Sequence, residues 1–210
     1  MIRTIGSFSN NCGISVQVKY LIIDVFSVRK ALGLPSKKPK IASGGSGQIP
    51  NFFVILCVYS ASSTKIDPVY FTAAETLGRL LADHHIRLIN GAGSIGLMRS
   101  VADAVLANGG EVTGVIPHFM VEQNWHHTGL TELVEVESMH ERKQKMADLS
   151  DAVIALPGGC GTLEELLEII TWKQLGLYLN PIVILNVNGF FDPLLEMLEK
   201  AIDENFMRRQ

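Results

Sequence analysis

What this sequence has little of narrows it first. Its three cysteines, Cys12, Cys57 and Cys160, fall at no metal-ligand spacing and make an odd count. That argues against a disulfide framework and favours a reducing compartment. No apolar run nears the roughly 18 residues that would span a bilayer. The cluster YLIIDVF is short, broken by Asp24 and placed too late for a secretory signal, so the cytoplasm is the expected location. A formal charge of only −3 offers no electrostatic footprint for nucleic acid or an anionic membrane. His118, His126 and His127 lack a Cys or carboxylate at zinc spacing, so no metal site is expected. Against these absences stand 210 residues, 47% of them hydrophobic, which suffice for one domain with a real core.

Residues 1–50 differ in texture from the rest. KKPKIASGGSGQIP has linker composition, and the stretch before it carries one apolar cluster at residues 20–26 without sustained periodicity. The expectation is a poorly ordered extension left by an early start codon, with residues 20–26 forming one stray element. From residue 51 to 210 short apolar runs (FFVILCVYS, IRLIN, EVTGVIP, LTELVEV, DAVIAL, PIVILNV) alternate with amphipathic stretches. Runs without polar alternation suit parallel strands covered on both faces. The pattern predicts a single α/β domain: a doubly wound, mostly parallel, Rossmann-like sheet with helices on both faces. Asp67-Pro68 reads as a helix N-cap followed by N1, and residues 118–129 read as irregular.

Polar chemistry converges on residues 138–171. After DAVIAL, Pro157 ends a strand, and Gly158, Gly159 and Gly161 allow a tight turn. Thr162 with Glu165 three positions later reads as a capping box at the start of the next helix. A glycine turn feeding a helix N-terminus suits a phosphate, and the absence of a lysine in the turn excludes a P-loop NTPase. Arg142 and Lys143 open the preceding helix at the same end of the sheet, near Glu164 and Glu165. A second turn, Gly91-Ala92-Gly93-Ser94-Ile95-Gly96, is a literal G-x-G-x-x-G. The following strand ends Ile116-Pro117-His118 without the acid a dinucleotide ribose needs, so this turn reads as a second wall of a nucleotide site. Ser60 and Ser62 lie in the small-residue loop after the first strand of the domain.

SMHERK (residues 138–143) and PGGCGTLEE (residues 157–165) together resemble the LONELY GUY (LOG) family of cytokinin-activating phosphoribohydrolases, often labelled lysine decarboxylase-like, over roughly residues 53–206. The resemblance implies that Arg142 and Glu165 are catalytic. It implies that Lys143, Gly158, Gly159, Cys160, Gly161, Thr162, Glu164, Thr171, Gly93, Ser94, Ser60 and Ser62 surround the substrate and its phosphate. It further implies N-glycosidic hydrolysis of a nucleoside 5′-monophosphate without cofactor, a homodimer, and a further strand and helix beyond Gln210, so that the chain is expected to be cut short. The family has glycine where Ala92 and Arg99 stand; Ala92 is expected to narrow its turn slightly. A non-catalytic nucleotide or molybdenum-cofactor carrier on the same fold is the alternative. A true lysine decarboxylase would need a Schiff-base lysine, and no such context is evident. The helix after the turn is apolar on more than one face (Leu163, Leu166, Leu167, Ile169, Ile170, Trp172, Leu175), which independently suggests a two-fold partner.

Overall fold

The computed structural model describes residues 3–5, 20–23 and 54–208. In chain order the elements are β1 (Arg3–Ile5), β2 (Tyr20–Ile23), β3 (Ile55–Tyr59), α1 (Pro68–Asp83), β4 (Arg87–Asn90), α2 (Gly96–Ala107), β5 (Val112–Pro117) and α3 (His118–Glu122). They continue with β6 (Glu132–Val136), α4 (Met139–Asp148), β7 (Ala152–Ala155), α5 (Cys160–Gln174), β8 (Ile182–Leu185) and α6 (Asp192–Asp203). One sheet runs β1-β2-β8-β7-β3-β4-β5-β6, parallel throughout except for the β1–β2 pair.

The unbroken apolar runs are explained by cover on both sides. Leu56 and Val58 of β3, Ile154 of β7 and Val183 of β8 face the layer of α1 and α2, where Leu77, Leu81, Leu97 and Val101 are buried. The intervening Cys57, Tyr59, Val153 and Ile184 face α4, α5 and α6 through Met146, Leu166, Ile169, Ile170 and Leu195. The doubly wound sheet expected from the sequence is therefore present. The cap before α1 also forms, with Asp67 Oδ1 accepting the Val69 N–H at 2.9 Å.

Chain order locates the crevice. From β3 the strands step outward through β4, β5 and β6, and the chain then returns to lay β7 on the other flank of β3. Tyr59 is level with Ala155, and Leu156 N–H donates to the Tyr59 carbonyl at 2.9 Å. Beyond that point the loops after β3 and β7 part. Such a switch point, at the carboxyl ends of the strands, is where open α/β sheets bind ligands.

Three local expectations change. Residues 20–23 are no stray element, for β2 runs parallel beside β8 from Tyr20 opposite Ile182 to Ile23 opposite Leu185. The rest of the expected extension, apart from β1, lies outside the described residues. Residues 118–129 open with the helix α3 and then form a strap over the first glycine turn. Gly93 bridges His126, Ser94 N–H donates to the Trp125 carbonyl at 3.0 Å, and His127 N–H to the Ala92 carbonyl at 2.8 Å. Finally, α5 begins at Cys160, with Gly159 as its extended N-cap. Thr162 thus lies inside the first turn of the helix, where it cannot be a cap, and the Thr162–Glu165 capping box does not form.

Candidate active site

Helix α4 carries the cations. Ser138 caps it by accepting the Glu141 N–H at 3.1 Å, which starts the helix so that Arg142 and Lys143 fall on its buried side. Both are only 6% exposed. Arg142 reaches over the strand ends, where its Nε donates to the Val115 carbonyl at 3.1 Å and its Nη2 to the Gly91 carbonyl at 3.2 Å. A Cβ on residue 91 would stand 1.5 Å from that Nη2, so only glycine leaves the guanidinium its seat. Lys143 turns the other way and binds Glu164 and, at 3.0 Å, Glu168.

Helix α5 carries the carboxylate. Glu165 is 8% exposed, with its Oε1 3.7 Å from Arg142 Nη1. Burial pushes its carboxyl up to about 7, opposed by Arg142 and Lys143 and assisted by Glu164 and Glu168. Such a group changes protonation at neutral pH, as a general acid or base should. Beneath it on β3, burial likewise pushes the Cys57 thiol and Tyr59 hydroxyl well up, so both are neutral neighbours.

The pair opens into a cavity of about 630 Å³. At one end lie Gly159, Cys160, Gly161 and Thr162, the first turn of α5, with N–H groups that the helix itself leaves free to bond outward. The β3 loop supplies Ser60, Ser62 and Ser63, and the first glycine turn supplies Gly91, Gly93 and Ser94. Ser60 is 3% exposed and its hydroxyl has no protein hydrogen-bond partner. The remaining wall is apolar: Ile95, Met98, Met120, Trp125 and Met139.

A family model described as "possible lysine decarboxylase" matches residues 98–210. Cytokinin riboside 5′-monophosphate phosphoribohydrolase LOG7 of Arabidopsis thaliana is 46% identical over 155 residues, 74% of this chain and 71% of that protein. LOG1 of the same plant is 44% identical over 160 residues, 76% of this chain and 75% of that protein. The chain belongs to the LOG family. LOG of Oryza sativa subsp. japonica is 45% identical over 161 residues, 77% of this chain and 66% of that protein. Among solved structures, a molybdenum cofactor carrier protein from Chlamydomonas reinhardtii superposes with a TM-score of 0.56 at 21% identity, covering 70% of this chain and 85% of that one. A molybdenum cofactor binding protein from Rippkaea orientalis gives 0.55 at 21% identity, with the same coverage. At that identity the likeness establishes the fold alone.

Lysine decarboxylation needs a lysine to carry pyridoxal phosphate, and among the described residues none lines the wall. The LOG motif residues Arg142, Glu165, Gly159, Cys160, Gly161 and Thr162 do line it, as do Glu164, Ser60, Ser62, Gly93 and Ser94. Gly158 sits just behind: a Cβ there would meet Thr162 Oγ1 at 2.1 Å, so its bareness lets the turn close. Two expected ligands are not brought to the cavity. Lys143 is held by glutamates in the seam between α4 and α5. Thr171 is two turns further along, on the outer face, where its hydroxyl donates to the Leu167 carbonyl at 2.8 Å.

Two features went unread in the sequence. The methionines and Trp125 of the apolar wall come from three separate segments (Met98 from α2, Met120 and Trp125 from residues 118–129, Met139 from α4), and only Met139, inside SMHERK, carried a local signal. The departure at Ala92 also proves different in kind. Its φ of 57° is left-handed, so the difference from the LOG glycine is one of backbone strain rather than room, about 1–2 kcal/mol for a residue with a Cβ. Arg99 lies on α2 and pairs with Asp103 at 3.0 Å. The three histidines go separate ways: His118 to Glu135, His127 to Asp103, and His126 into the bridge with Gly93.

Proposed function

We propose that this protein hydrolyses the N-glycosidic bond of a nucleoside 5′-monophosphate, releasing the free base and ribose 5-phosphate, with cytokinin riboside monophosphates as substrates and AMP as a simpler one. The observation that carries the reading is the buried Arg142–Glu165 pair, 3.7 Å apart, opening into a cavity that ends at the α5 N-terminus. The names of the relatives agree with it. The 5′-phosphate binds the N–H groups of residues 159–162, favoured by the helix dipole. That remote grip presents the anomeric carbon to Glu165. As the base leaves, positive charge develops on the ribosyl ring and the Glu165 carboxylate stabilises it. Ionised Glu165 also takes a proton from the attacking water and releases it to solvent, while Arg142 holds the departing base, whose ring nitrogen takes up a proton from solvent as the glycosidic bond breaks. The apolar wall of Met98, Met120 and Trp125 suits a base with an apolar substituent. A carrier on this fold would have no need of a carboxylate buried against an arginine.

The proposal extends to a homodimer in the cytoplasm, with residues 51–210 as the functional domain. What supports the dimer is the outer face of α5 and its continuation, where Leu167, Leu175, Leu177 and Leu179 are exposed. No helix among the described residues is long and apolar enough to cross a membrane.

The test is base release measured by chromatography. AMP should be cleaved and adenosine hardly at all, since without the phosphate the N–H donors of the turn go unmatched. Arg142→Ala and Glu165→Gln should each lower kcat by about 10³-fold at unchanged fold. Equal kcat/KM for AMP and adenosine would refute the phosphate site.

A further inference from the structure

Lys143 is a buried cation that the cavity does not use. It follows Arg142 on α4, so the two side chains leave the helix about 100° apart. Arg142 turns over β4 and β5, and Lys143 turns to α5. There its Nζ binds Glu164 Oε1 and, at 3.0 Å, Glu168 Oε2. These acceptors stand one helical turn apart, with Glu165 between them in sequence. An ammonium gripping two points a turn apart opposes both sliding of α5 along its axis and rotation about it. Either movement would carry Glu165 away from Arg142.

We propose that Lys143 is the positioning residue of this site: through Glu164 and Glu168 it fixes α5 so that the Glu165 carboxylate meets the Arg142 guanidinium. The proposal rests on the hydrolytic reading above. It removes Lys143 from the phosphate-binding set, because its ammonium lies in the α4–α5 seam. The groups acting on Glu165 are Arg142 and Lys143 from α4, Cys57 and Tyr59 from β3, and Glu164 and Glu168 on its own helix. Cys57 and Tyr59 are neutral, so two cations balance two carboxylates around it. Removing Lys143 tips that balance toward negative charge as well as freeing the helix.

Three variants test this: Lys143→Met, which keeps the stem without the charge; Lys143→Arg, which keeps the charge; and the pair Glu164→Gln with Glu168→Gln. Buried Leu166, Ile169 and Ile170 hold α5 on the sheet, so Lys143→Met should fold. Its kcat for AMP should fall about 10- to 100-fold while KM stays within about threefold. Its Glu165 carboxyl, followed by side-chain NMR, should titrate higher, since Lys143 holds it down. Lys143→Arg should recover most of the rate. The glutamine pair should lose as much rate as Lys143→Met, and combining all three changes should add little. A raised KM for AMP with unchanged kcat would overturn the proposal and make Lys143 a phosphate ligand. Unchanged kcat and Glu165 titration with a lowered Tm would overturn it in favour of a purely structural pair. Should Lys143→Met not fold, the glutamine pair alone decides by its kcat. Should the wild type release no base, the hydrolytic reading fails, and the Glu165 titration still decides the positioning claim: no shift in Lys143→Met overturns it.

Discussion

Two glycine turns join strand to helix on the two flanks of β3, after β4 and after β7, and they use glycine for opposite purposes. In the turn of residues 91–96, glycine gives up space to other protein groups. Arg142 lies against Gly91, and a Cβ on Gly96 would stand 2.4 Å from the Ser62 carbonyl carbon. Its polar backbone is largely occupied as well, by Trp125, His127 and Arg142. In the turn of residues 158–161, Gly158 is packed, but a Cβ on Gly159 or Gly161 would meet nothing within 4 Å. The first turn is closed around the protein and the second is open to a ligand. A glycine motif therefore signals close approach, and the structure around it decides what approaches.

The comparison can be broken hardest at Gly91. Gly91→Ala places a methyl where Arg142 Nη2 sits, so the guanidinium must leave and kcat should fall about 10²-fold. Normal turnover in that variant would mean that Arg142 works from another position.

Glu165 sharpens the same contrast through stability. Its carboxyl titrates at about 7 when folded, above the ordinary 4.5, so the folded chain keeps a proton that the unfolded chain has released. Below about pH 4.5 both states hold the proton and nothing is lost. As pH rises from there to about 7, folding loses up to about 3 kcal/mol, and the loss is constant above. Glu165→Gln abolishes this fall. The variant should gain Tm over the wild type progressively between pH 4.5 and 8, while its kcat falls as proposed above. A capping carboxylate would give the reverse, a variant less stable at neutral pH.

Within the open turn the two kinds of glycine can be separated. Gly158→Ala collides with Thr162 and should lower Tm by several degrees. Gly159→Ala meets empty space at an ordinary φ of −80°, so stability should hold while KM for AMP rises about three- to tenfold as the methyl crowds the phosphate. The smallest effect belongs to residues 1–50. Both turns are framed by residues from 54 onward, so deletion should leave kcat/KM within about twofold and cost stability only through the lost β2–β8 pairing. A larger loss of activity would bring the N-terminal strands into the site's support.

How much of this was legible follows from what each feature depends on. Unbroken apolar runs and the Asp67-Pro68 cap are local, so strands and helices could be read directly. Arg142 and Glu165 were legible because each sits inside a contiguous motif. The partner of Lys143 was not: adjacent helical positions diverge by about 100°, and nothing local says which one faces a neighbouring helix. The capping box failed because Gly159 is the N-cap and the helix starts at Cys160, two residues before Thr162. Met98, Met120 and Trp125 escaped because they meet only through bonds between distant segments.

The strap across the first turn is fastened by main-chain atoms: the carbonyl of Trp125 and the N–H of His127, tied to Ser94 and Ala92. Its shape thus owes little to the side chains of Met120 and Trp125, which project from it into the cavity wall. Exchanging those two positions for larger, smaller or more polar residues should leave the geometry of the Arg142–Glu165 pair across the cavity unchanged. On the proposed function, the fold thereby separates the choice of base from the breaking of the bond, and selection or design can retune one without relearning the other.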